Sequence, residues 1–278
     1  MTPDISTDCY QLYHGDCLVV LSEIEAGSVD MIATDLPYGV TQCKWDSIIP
    51  LEPMWAQVKR LLKPRGVFVT TASQPFTSML VMSNLEWFRY EWVWEKSRST
   101  GHLDANLKPL RSHENIVIFS REALAAYNPQ MIAGNSHKRG CAKRNGRTEV
   151  YGAFNDALYT SSEYYPNSII KFSCVQNPEH PTQKPIALYD YLIRTYTNYG
   201  DTVLDFCMGS GTTGCAALSL GRRFIGVELY PVKPGDPDYF GIATRRIADA
   251  AVQPPLPMPT QEERETPEQS AMFDDERE

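Results

Sequence analysis

Short runs of β-branched and aromatic residues alternate with longer amphipathic runs through most of the 278-residue chain. This alternation is typical of a largely parallel sheet that is covered by helices on both faces. Seven strands are predicted, at Gln11–His14, Val29–Thr34, Gly66–Thr71, Tyr90–Trp94, Asn115–Phe119, Thr202–Asp205 and Phe224–Val227. Five helices are predicted, at Leu51–Leu62, Gln74–Asn84, Pro185–Asn198, Thr212–Leu220 and Pro237–Ala251. The pattern therefore predicts an α/β fold with one mostly parallel sheet.

The alternation stops between residues 121 and 175, where polar residues, glycines and tyrosines dominate. An irregular stretch of this length inside a compact domain is usually functional or disordered. An ordinary surface insertion is the alternative. The chain after Ala251 carries four prolines between 254 and 259 and then an acidic run, which predicts a disordered acidic tail over residues 252–278.

The formal net charge of −8 argues against a nucleic-acid partner, but much of the negative charge lies in one segment. Residues 261–278 contain eight acids and two arginines, so the rest of the chain is close to neutral. Residues 137–147 contain no acid and five cations, namely Lys138, Arg139, Lys143, Arg144 and Arg147. A phosphate backbone responds to such a local patch more than to the total charge. The run predicts DNA contact, with a solvated basic loop as the alternative.

Composition and the length of the apolar runs argue against a membrane protein, a secreted protein and a disulfide-rich or metal-binding protein. No apolar run reaches the ~20 residues that a membrane-spanning helix needs, and the first residues lack the basic and apolar blocks of a signal peptide. We therefore expect a cytoplasmic protein with no membrane partner. The seven cysteines include no C-x-x-C pair, so neither a disulfide framework nor a metal site is predicted.

A glycine-rich loop follows the predicted strand Thr202–Asp205. It reads Asp205-Phe-Cys-Met-Gly209-Ser-Gly211-Thr-Thr-Gly214, which is G-x-G-x-x-G at the start of a helix. Such glycines allow a tight turn and a close approach of the backbone to a ligand. The motif fits a nicotinamide dinucleotide as well as S-adenosylmethionine, whereas a nucleoside triphosphate is disfavoured because the loop has no P-loop lysine.

The position of this loop favours S-adenosylmethionine. A dinucleotide fold needs several βα units after the motif, but only one strand and one helix are predicted after Gly214. The remaining strands must then come from the N-terminal half, so the fold is circularly permuted. Asp205, just before the loop, is better suited to an ammonium group than to a pyrophosphate. Glu228, at the end of the next strand, is suited to ribose hydroxyls.

A second candidate site follows the strand Val29–Thr34 and reads Asp35-Leu36-Pro37-Tyr38-Gly39. The Asp35 carboxylate and the Leu36 carbonyl could both accept from one exocyclic amino group, which would make its nitrogen more nucleophilic. Pro37 favours an extended Leu36, and Tyr38 could stack on a base that has left the duplex. A plain strand-ending turn of Asp, Pro and Gly is the alternative.

The two motifs, in this order, resemble the permuted, or beta-class, DNA amino-methyltransferases. The catalytic pattern of that family is [DNS]-P-P-[YFW], from which this chain departs at Leu36. Two further segments are similar to family motifs: Leu12-Tyr-His-Gly-Asp16-Cys17, and His180-Pro-Thr182-Gln-Lys184-Pro185. The compact chain and the Asp-Leu-Pro-Tyr variant look most like enzymes of phages and prophages.

The resemblance implies a Rossmann-like, seven-stranded sheet, with a catalytic half at 8–120, an inserted target-recognition region at 121–175 and a cofactor-binding half at 176–251. It implies catalytic roles for Asp35, Leu36, Pro37 and Tyr38. It implies cofactor-binding roles for Asp16, Thr182, Lys184, Asp205, Gly209, Gly211 and Glu228.

The implied activity is the S-adenosylmethionine-dependent methylation of adenine N6 in double-stranded DNA, with the base flipped out, by a restriction-modification or orphan enzyme that is a monomer or homodimer. Methylation of cytosine N4 uses the same geometry and stays open. An NAD-dependent oxidoreductase and a non-catalytic DNA-binding module are the alternatives from other classes.

Overall fold

The computed structural model describes residues 2–41, 43, 46–123, 125–139, 146–148, 152–154 and 159–253, with the backbone alone at 138–139, 146–148, 152–154 and 159. The described residues form two compact units, one within 1–128 and 168–257 and the other within 129–167. The predicted tail lies outside the described residues from position 254 onward.

Thirteen strands and six α-helices are present in the described part of the chain. The helices are Cys17–Glu23 (α1), Leu51–Leu61 (α2), Phe76–Ser83 (α3), Ile186–Tyr196 (α4), Thr212–Ser219 (α5) and Tyr239–Val252 (α6). The strands are Ile5–Ser6 (β1), Tyr10–His14 (β2), Val29–Asp35 (β3), Leu62–Ala72 (β4), Phe88–Thr100 (β5), Arg111–Ser120 (β6), Ile132–Arg139 (β7), Gly146–Thr148 (β8), Gly152–Phe154 (β9), Tyr159–Tyr164 (β10), Ile169–Phe172 (β11), Thr202–Asp205 (β12) and Arg223–Glu228 (β13). All seven predicted strands and all five predicted helices are confirmed, with shifted ends.

The main sheet has the order β1-β2-β13-β12-β3-β4-β6-β5-β11. The five strands from β2 to β4 in this order are mutually parallel. Strand β6 runs antiparallel to both of its neighbours. The sheet has nine strands, where the sequence predicted seven, because β1 and β11 extend it at its two edges. The prediction of a mostly parallel α/β sheet is confirmed.

Alternating side chains on the strands build one hydrophobic core on each face of the sheet. In β3, Met31 and Ala33 belong to one core and Ile32 to the other, as the two-residue period of a strand requires. Helices α4, α5 and α6 cover the first face, and α1, α2 and α3 cover the second. Strands buried on both faces carry nearly continuous apolar runs, which is why the sequence revealed them.

Two local features differ from the sequence prediction. Helix α1 was missed because its seven residues are too few to show a helical period. Strand β4 begins at Leu62 and not at the predicted Gly66, so residues 63–66 belong to the strand. The pairing of β4 with β3 shifts register between Val29 and Met31, so these residues form a bulge that accommodates Pro64.

The second unit contains two small antiparallel pairs, β7 with β10 and β8 with β9. The ring of His137 stacks on Tyr164 with 4.1 Å between centroids. Residues 169–172 lie within the stretch predicted as an insertion, yet as β11 they pair with β5 in the main sheet. Within the described ranges, no helix is long and apolar enough to cross a bilayer.

Strands β3 and β12 are neighbours in the sheet, although they come from opposite ends of the chain. Because β2, β3, β4, β12 and β13 are parallel, their carboxyl ends meet at one edge of the sheet. Ligands bind at this edge in open α/β folds. Asp35 ends β3, Asp205 ends β12 and Glu228 ends β13, so this connectivity brings the two predicted motifs together.

Candidate active site

A cavity of about 850 Å³ opens at the carboxyl edge of the main sheet. Its lining contains the predicted catalytic residues Asp35, Leu36, Pro37 and Tyr38. It also contains the predicted cofactor residues Asp16, Thr182, Lys184, Asp205, Gly209 and Glu228. The volume lies in the range of small-molecule and cofactor sites. Of the predicted cofactor residues, Gly211 alone is absent from the lining.

The carboxylate of Asp35 accepts three hydrogen bonds. On Oδ1 it accepts from the hydroxyls of Tyr38, at 2.8 Å, and of Thr71. On Oδ2 it accepts from Lys184 Nζ at 2.5 Å. A carboxylate has about four acceptor positions, so one position on Oδ2 stays available. These donors fix the orientation of the carboxylate before any substrate arrives.

Lys184 links Asp35 to a second acid, Glu114, whose Oε2 lies 3.5 Å from Nζ. The other oxygen of Glu114 accepts from Lys96 Nζ at 3.1 Å. The sequence resemblance placed Lys184 in the cofactor set, and in the structure its side chain pairs with Asp35 at the wall of the shared cavity. Burial alone would lower the pKa of Lys184, but the carboxylates of Asp35 and Glu114 outweigh burial and raise it. The lysine is therefore held as a cation.

Tyr38 and Leu36 pack on the apolar side of the site. The Tyr38 ring stacks on Phe76, with 5.5 Å between centroids and 25° between planes. Burial, together with the nearby Asp35 and Glu114, raises the pKa of Tyr38 well above 10.0, so the hydroxyl stays a donor. Leu36 is buried in the hydrophobic core, so the residue that departs from the family pattern gains packing there. Stacking of Tyr38 on a base stays a prediction.

The chain after this motif is held by a single buried side chain, Asp46. Its carboxylate accepts from the backbone N–H groups of Gly39, Val40 and Thr41 at 2.7–2.9 Å. Burial alone would raise the pKa of Asp46, but these hydrogen bonds prevail and lower it. Residues 46–50 line the cavity next to Tyr38, so this contact shapes the entrance to the site.

Two glycines of the cofactor loop need their positive φ angles. Gly209 has φ +51° and Gly211 has φ +77°, in the left-handed region that disfavours side chains. A Cβ on Gly211 would also lie 3.1 Å from the Cα of Ala243 and 2.9 Å from Ile247 on α6. The loop therefore packs directly against α6, and α5 starts from Gly211 as its N-cap.

Asp205 is buried at the end of β12. It accepts from Thr34 Oγ1 at 2.7 Å, from Thr213 Oγ1 at 2.6 Å and from the backbone N–H of Cys207 at 3.0 Å. Burial raises the pKa of Asp205 to about 7; the hydrogen bonds oppose this effect, and the charge of Asp35 adds to it. A buried acid with such a pKa is suited to an approaching cation.

Glu228 supports the same loop from the next strand. Its carboxylate accepts from the backbone N–H of Gly209 at 2.8 Å and of Tyr230 at 2.9 Å. Burial raises the pKa of Glu228 against these two hydrogen bonds. Because Glu228 lines the cavity and holds Gly209, it both shapes the loop and presents an acceptor edge.

Asp16 and Thr182 occupy the wall of the cavity. Asp16 caps α1 by accepting from the backbone N–H groups of Leu18 and Val19. The backbone N–H of Thr182 donates to His180 Nδ1 at 3.2 Å. Burial lowers the pKa of His180 to about 4, with Asp35 opposing and Lys184 adding to the effect, so this imidazole is neutral at physiological pH.

The residues at this edge fit S-adenosylmethionine. Asp205 can meet its ammonium group, and the carboxylates of Glu228 and Asp16 can meet ribose or adenine donors. Thr212 lines the cavity, and its buried Oγ1 has no hydrogen-bond partner among the described residues. A buried hydroxyl without a partner at a cavity wall indicates a ligand contact.

The basic run can be followed only in part. Lys138 and Arg139 lie in β7 and Arg147 in β8, where the backbone is described, while Lys143 and Arg144 lie outside the described residues. The predicted DNA contact of these five residues stays a prediction.

Four residues of the site were missed as functional residues: Thr71, Lys96, Glu114 and Asp46. Thr71 and Glu114 stand in strand sequences that read as ordinary core strands. Their approach to Asp35 follows from the pairing of β3 with β4 and of β4 with β6, which local patterns do not specify. Asp46 lies in a segment without a helical or strand period, so its hydrogen bonds to the backbone of residues 39–41 could not be recognised from the sequence.

Comparison with known proteins agrees with this geometry. Residues 29–232 match the N6/N4 methyltransferase family model, described as DNA methylase. The chain is 29% identical over 255 residues to the DNA adenine methyltransferase YhdJ of Escherichia coli strain K12, covering 85% of this chain and 82% of that protein. It is 26% identical over 265 residues to the type II methyltransferase M2.LlaDCHI of Lactococcus lactis subsp. cremoris, covering 86% and 90%.

Two solved structures have similar folds. The cytosine-N4-specific PvuII DNA methyltransferase superposes with a TM-score of 0.62 at 17% identity, over 90% of this chain and 94% of that one. The M1.HpyAVI–SAM complex superposes with a TM-score of 0.56 at 25% identity, over 85% and 99%. The family match covers most of the chain, and both motifs of the cavity lie within it. The chain belongs to the DNA methylase family of N6 and N4 methyltransferases.

Proposed function

We propose that this protein transfers the methyl group of S-adenosylmethionine to N6 of adenine in double-stranded DNA. The observation that carries the proposal is the shared cavity of Asp35 and the Gly209 loop, in which Asp35 keeps one acceptor position on Oδ2. Adenine is favoured over cytosine by the aspartate at the first position of the motif, which is more typical of adenine N6 enzymes in the family that the sequence resembles. It is also favoured by the similarity to a protein named as a DNA adenine methyltransferase.

The substrate base has to leave the duplex, because an exocyclic nitrogen inside the stack cannot reach this cavity. Asp35 Oδ2 accepts one hydrogen of the amino group, and the Leu36 carbonyl accepts the other. This arrangement turns the nitrogen lone pair away from the ring and towards the methyl donor. Bound S-adenosylmethionine supplies an electrophilic sulfonium methyl group. The rate then comes from proximity and from electrostatic placement of the amino group.

Lys184 holds the Asp35 carboxylate in position for this reaction. The ammonium group stabilises the carboxylate, and Glu114 and Lys96 hold the ammonium in turn. When the nitrogen gains the methyl group it becomes acidic and releases a proton. Asp35 is the nearest base for that proton, and it regains its charge as the proton passes to solvent.

The proposal also covers the class of the enzyme, its target-recognition region, its origin and its cellular setting. The chain order, with the catalytic strand before the cofactor strand, supports the permuted class. The unit within 129–167 is proposed as the target-recognition region, and its basic run as a DNA contact. A phage or prophage origin rests on the compact chain and the Asp-Leu-Pro-Tyr motif. The proposed setting is the cytoplasm of a bacterial or phage-infected cell, as a monomer or homodimer.

Expression in a methylation-free bacterial host tests the proposal directly. Nucleoside analysis of the host DNA is expected to find N6-methyladenine, and mapping of the modified bases gives the recognised site. The variant Asp35→Ala is expected to abolish methylation while retaining cofactor binding. The control variant Asp30→Ala changes an acid at the other end of the same strand, where it pairs with Lys63, and is expected to retain methylation per folded molecule.

Each competing function gives a different result. Finding N4-methylcytosine alone would overturn the adenine assignment while preserving the methyltransferase. Saturable binding of a nicotinamide dinucleotide without binding of S-adenosylmethionine would support an oxidoreductase. Full biological activity of Asp35→Ala would support a non-catalytic DNA-binding module.

A further inference from the structure

The connection between β5 and β6 presents leucines to solvent in an unusual way. Leu103 is fully exposed, Leu107 is 87% exposed, and the following Leu110 is exposed as well. Leu103 lies in a short 3-10 helix, His102–Asp104, that starts from Gly101 in the left-handed region. Single exposed apolar residues are common, but several large ones on one short loop indicate an interaction site.

This loop is continuous with the active site. Arg98, Ser99, Thr100 and Arg111, at the base of the loop, line the same cavity as Asp35. Leu103 is three residues beyond Thr100, which limits its distance from the cavity wall to about 11 Å. Leu103 therefore lies within reach of a DNA duplex that places one base into the cavity.

The charges around the leucines favour a polyanion. Residues 97–113 contain three cations, Arg98, Lys108 and Arg111, against a single acid, Asp104. That acid is paired with Lys108 at 2.7 Å. Neither Arg98 nor Arg111 pairs with an acid among the described residues. A protein with a net charge of −8 thus presents a locally positive loop at the mouth of its cavity.

Leucine side chains flanked by cations are suited to a DNA duplex in which one base has been flipped out of the stack. When a base leaves the stack, it opens a gap with apolar walls, and proteins fill such gaps with leucine and similar side chains. Phosphates on both sides of the gap then require cations at the base of the wedge.

We propose that the loop of residues 101–110 enters the DNA, with Leu103 in the gap left by the target base and with Arg98 and Arg111 on the flanking phosphates. The proposal rests on the proposed base-flipping function and adds a second contact to it. The leucine holds the base out of the stack while the cavity holds it in place for reaction. Leu103 is a positioning residue, since its contact is with the DNA stack and not with the reacting atoms.

The test uses a duplex that carries the mapped site, in a matched form and in a form with an abasic position opposite the target adenine. Leu103→Ser is expected to lower kcat/KM on the matched duplex by about tenfold or more. The reason is that no side chain then fills the gap that the flipped base leaves in the stack. The abasic duplex opens at less cost, so the defect is expected to shrink severalfold there. Binding of S-adenosylmethionine is expected to be unchanged.

Leu85→Ser is the matched control, since Leu85 is an exposed leucine that does not line the cavity. It is expected to keep wild-type kcat/KM on both duplexes. The double variant Arg98→Gln, Arg111→Gln is expected to reduce the salt dependence of DNA binding by a slope of up to about 2.

The outcomes separate this proposal from the proposed function. A wild-type protein that methylates neither duplex would refute the function itself. An active wild type together with a fully active Leu103→Ser would refute the wedge alone. Equal reductions on both duplexes, accompanied by a change of oligomeric state in sedimentation, would also overturn it and assign the loop to contact with a second copy.

Discussion

Lys184 Nζ lies 2.5 Å from Asp35 Oδ2, so the motif that precedes α4 and the motif that ends β3 meet in one buried ion pair. The two residues are 149 positions apart in the chain. The pair joins the carboxylate that we propose as catalytic to a residue that the sequence resemblance placed with the cofactor.

Replacing Lys184 by methionine is therefore expected to impair chemistry more than cofactor binding. Without the ammonium group, Asp35 Oδ2 loses its hydrogen-bond donor, so the carboxylate is held less firmly against the substrate amino group. We expect kcat to fall by about 10²-fold, in the range seen when one electrostatic partner is removed from an active site. The dissociation constant of S-adenosylmethionine is expected to change little.

Two further variants make this test specific. Lys184→Arg keeps a cationic donor at this position and is expected to lose less kcat than Lys184→Met. Lys63→Met breaks the ion pair with Asp30 at the opposite end of β3 and serves as the control for a broken ion pair. An unchanged kcat in Lys184→Met, or an equal fall in Lys63→Met, would contradict a positioning role for Lys184.

Cofactor affinity is expected to depend on pH through Asp205. Its pKa of about 7 means that the free protein must lose a proton before the carboxylate can meet an ammonium group. Affinity should then rise about tenfold per pH unit below 7 and level off above. It should fall again beyond the α-amino pKa of about 8, where the ligand loses its charge.

Isothermal titration calorimetry between pH 5 and 9 measures this profile. Asp205→Asn is expected to flatten the acid limb and to weaken binding at pH 7.5. Glu228, Asp35 and His180 also border this region, and the pKa of His180 near 4 removes it from the tested range. An acid limb that persists in Asp205→Asn would assign the proton to Glu228 instead, whose pKa burial also raises.

Gly211→Ala is expected to destabilise the protein more than an equivalent change elsewhere. Both Gly211 and Gly27 have positive φ, so alanine costs about 1–2 kcal/mol at either position. A Cβ at Gly27 meets nothing within 4 Å, whereas at Gly211 it meets α6. The overpacking should add about 1–3 kcal/mol.

Urea unfolding of the two variants separates backbone strain from packing. Cofactor affinity is expected to fall in Gly211→Ala and to be retained in Gly27→Ala. An equal decrease in the stability of the two variants would show that α6 moves away from the loop without cost.

Neutralising the basic run tests the proposed DNA contact. The quadruple change of Lys138, Arg139, Lys143 and Arg144 to glutamine is expected to weaken binding to duplex DNA. It should also flatten the dependence of log affinity on log salt by about 0.9 for each phosphate that the protein no longer neutralises. Fluorescence anisotropy at several salt concentrations gives both quantities. The control is Lys171→Gln with Arg223→Gln on the main sheet, and an unchanged slope in the quadruple variant would assign the run to a solvated loop.

The sequence was sufficient for features that depend on local patterns. Strands such as β3 and β12 are buried on both faces, so their apolar runs are continuous and their ends fall on Asp35 and Asp205. The glycine-rich loop could be recognised in the sequence because only glycine adopts the φ of Gly211 without strain and leaves room for α6. The departure from the family pattern at Leu36 was also visible in the sequence, and the burial of this side chain gives a packing reason for leucine there.

The features that could not be predicted from the sequence depend on contacts between segments that are distant in the chain. Glu114 reaches Lys184 only because β6 inserts antiparallel between β4 and β5. Lys96 belongs to β5, where its charge reads as a solvent-facing residue until the strand pairing is known. The ion pair of Lys184 with Asp35 was not predicted for the same reason, since the motif gives the residue type but not the carboxylate that it faces.

The pairing of β3 with β12 also has a consequence for how the chain folds. The hydrogen bond from Thr34 to Asp205 joins residues 171 positions apart, so the centre of the sheet closes only after most of the chain exists. Such non-local pairing is slow. During synthesis, one edge of β3 stays open until β12 has left the ribosome, and an open apolar edge invites pairing with other chains. Aggregation during expression should therefore depend on temperature and synthesis rate more strongly than the stability of the finished protein suggests.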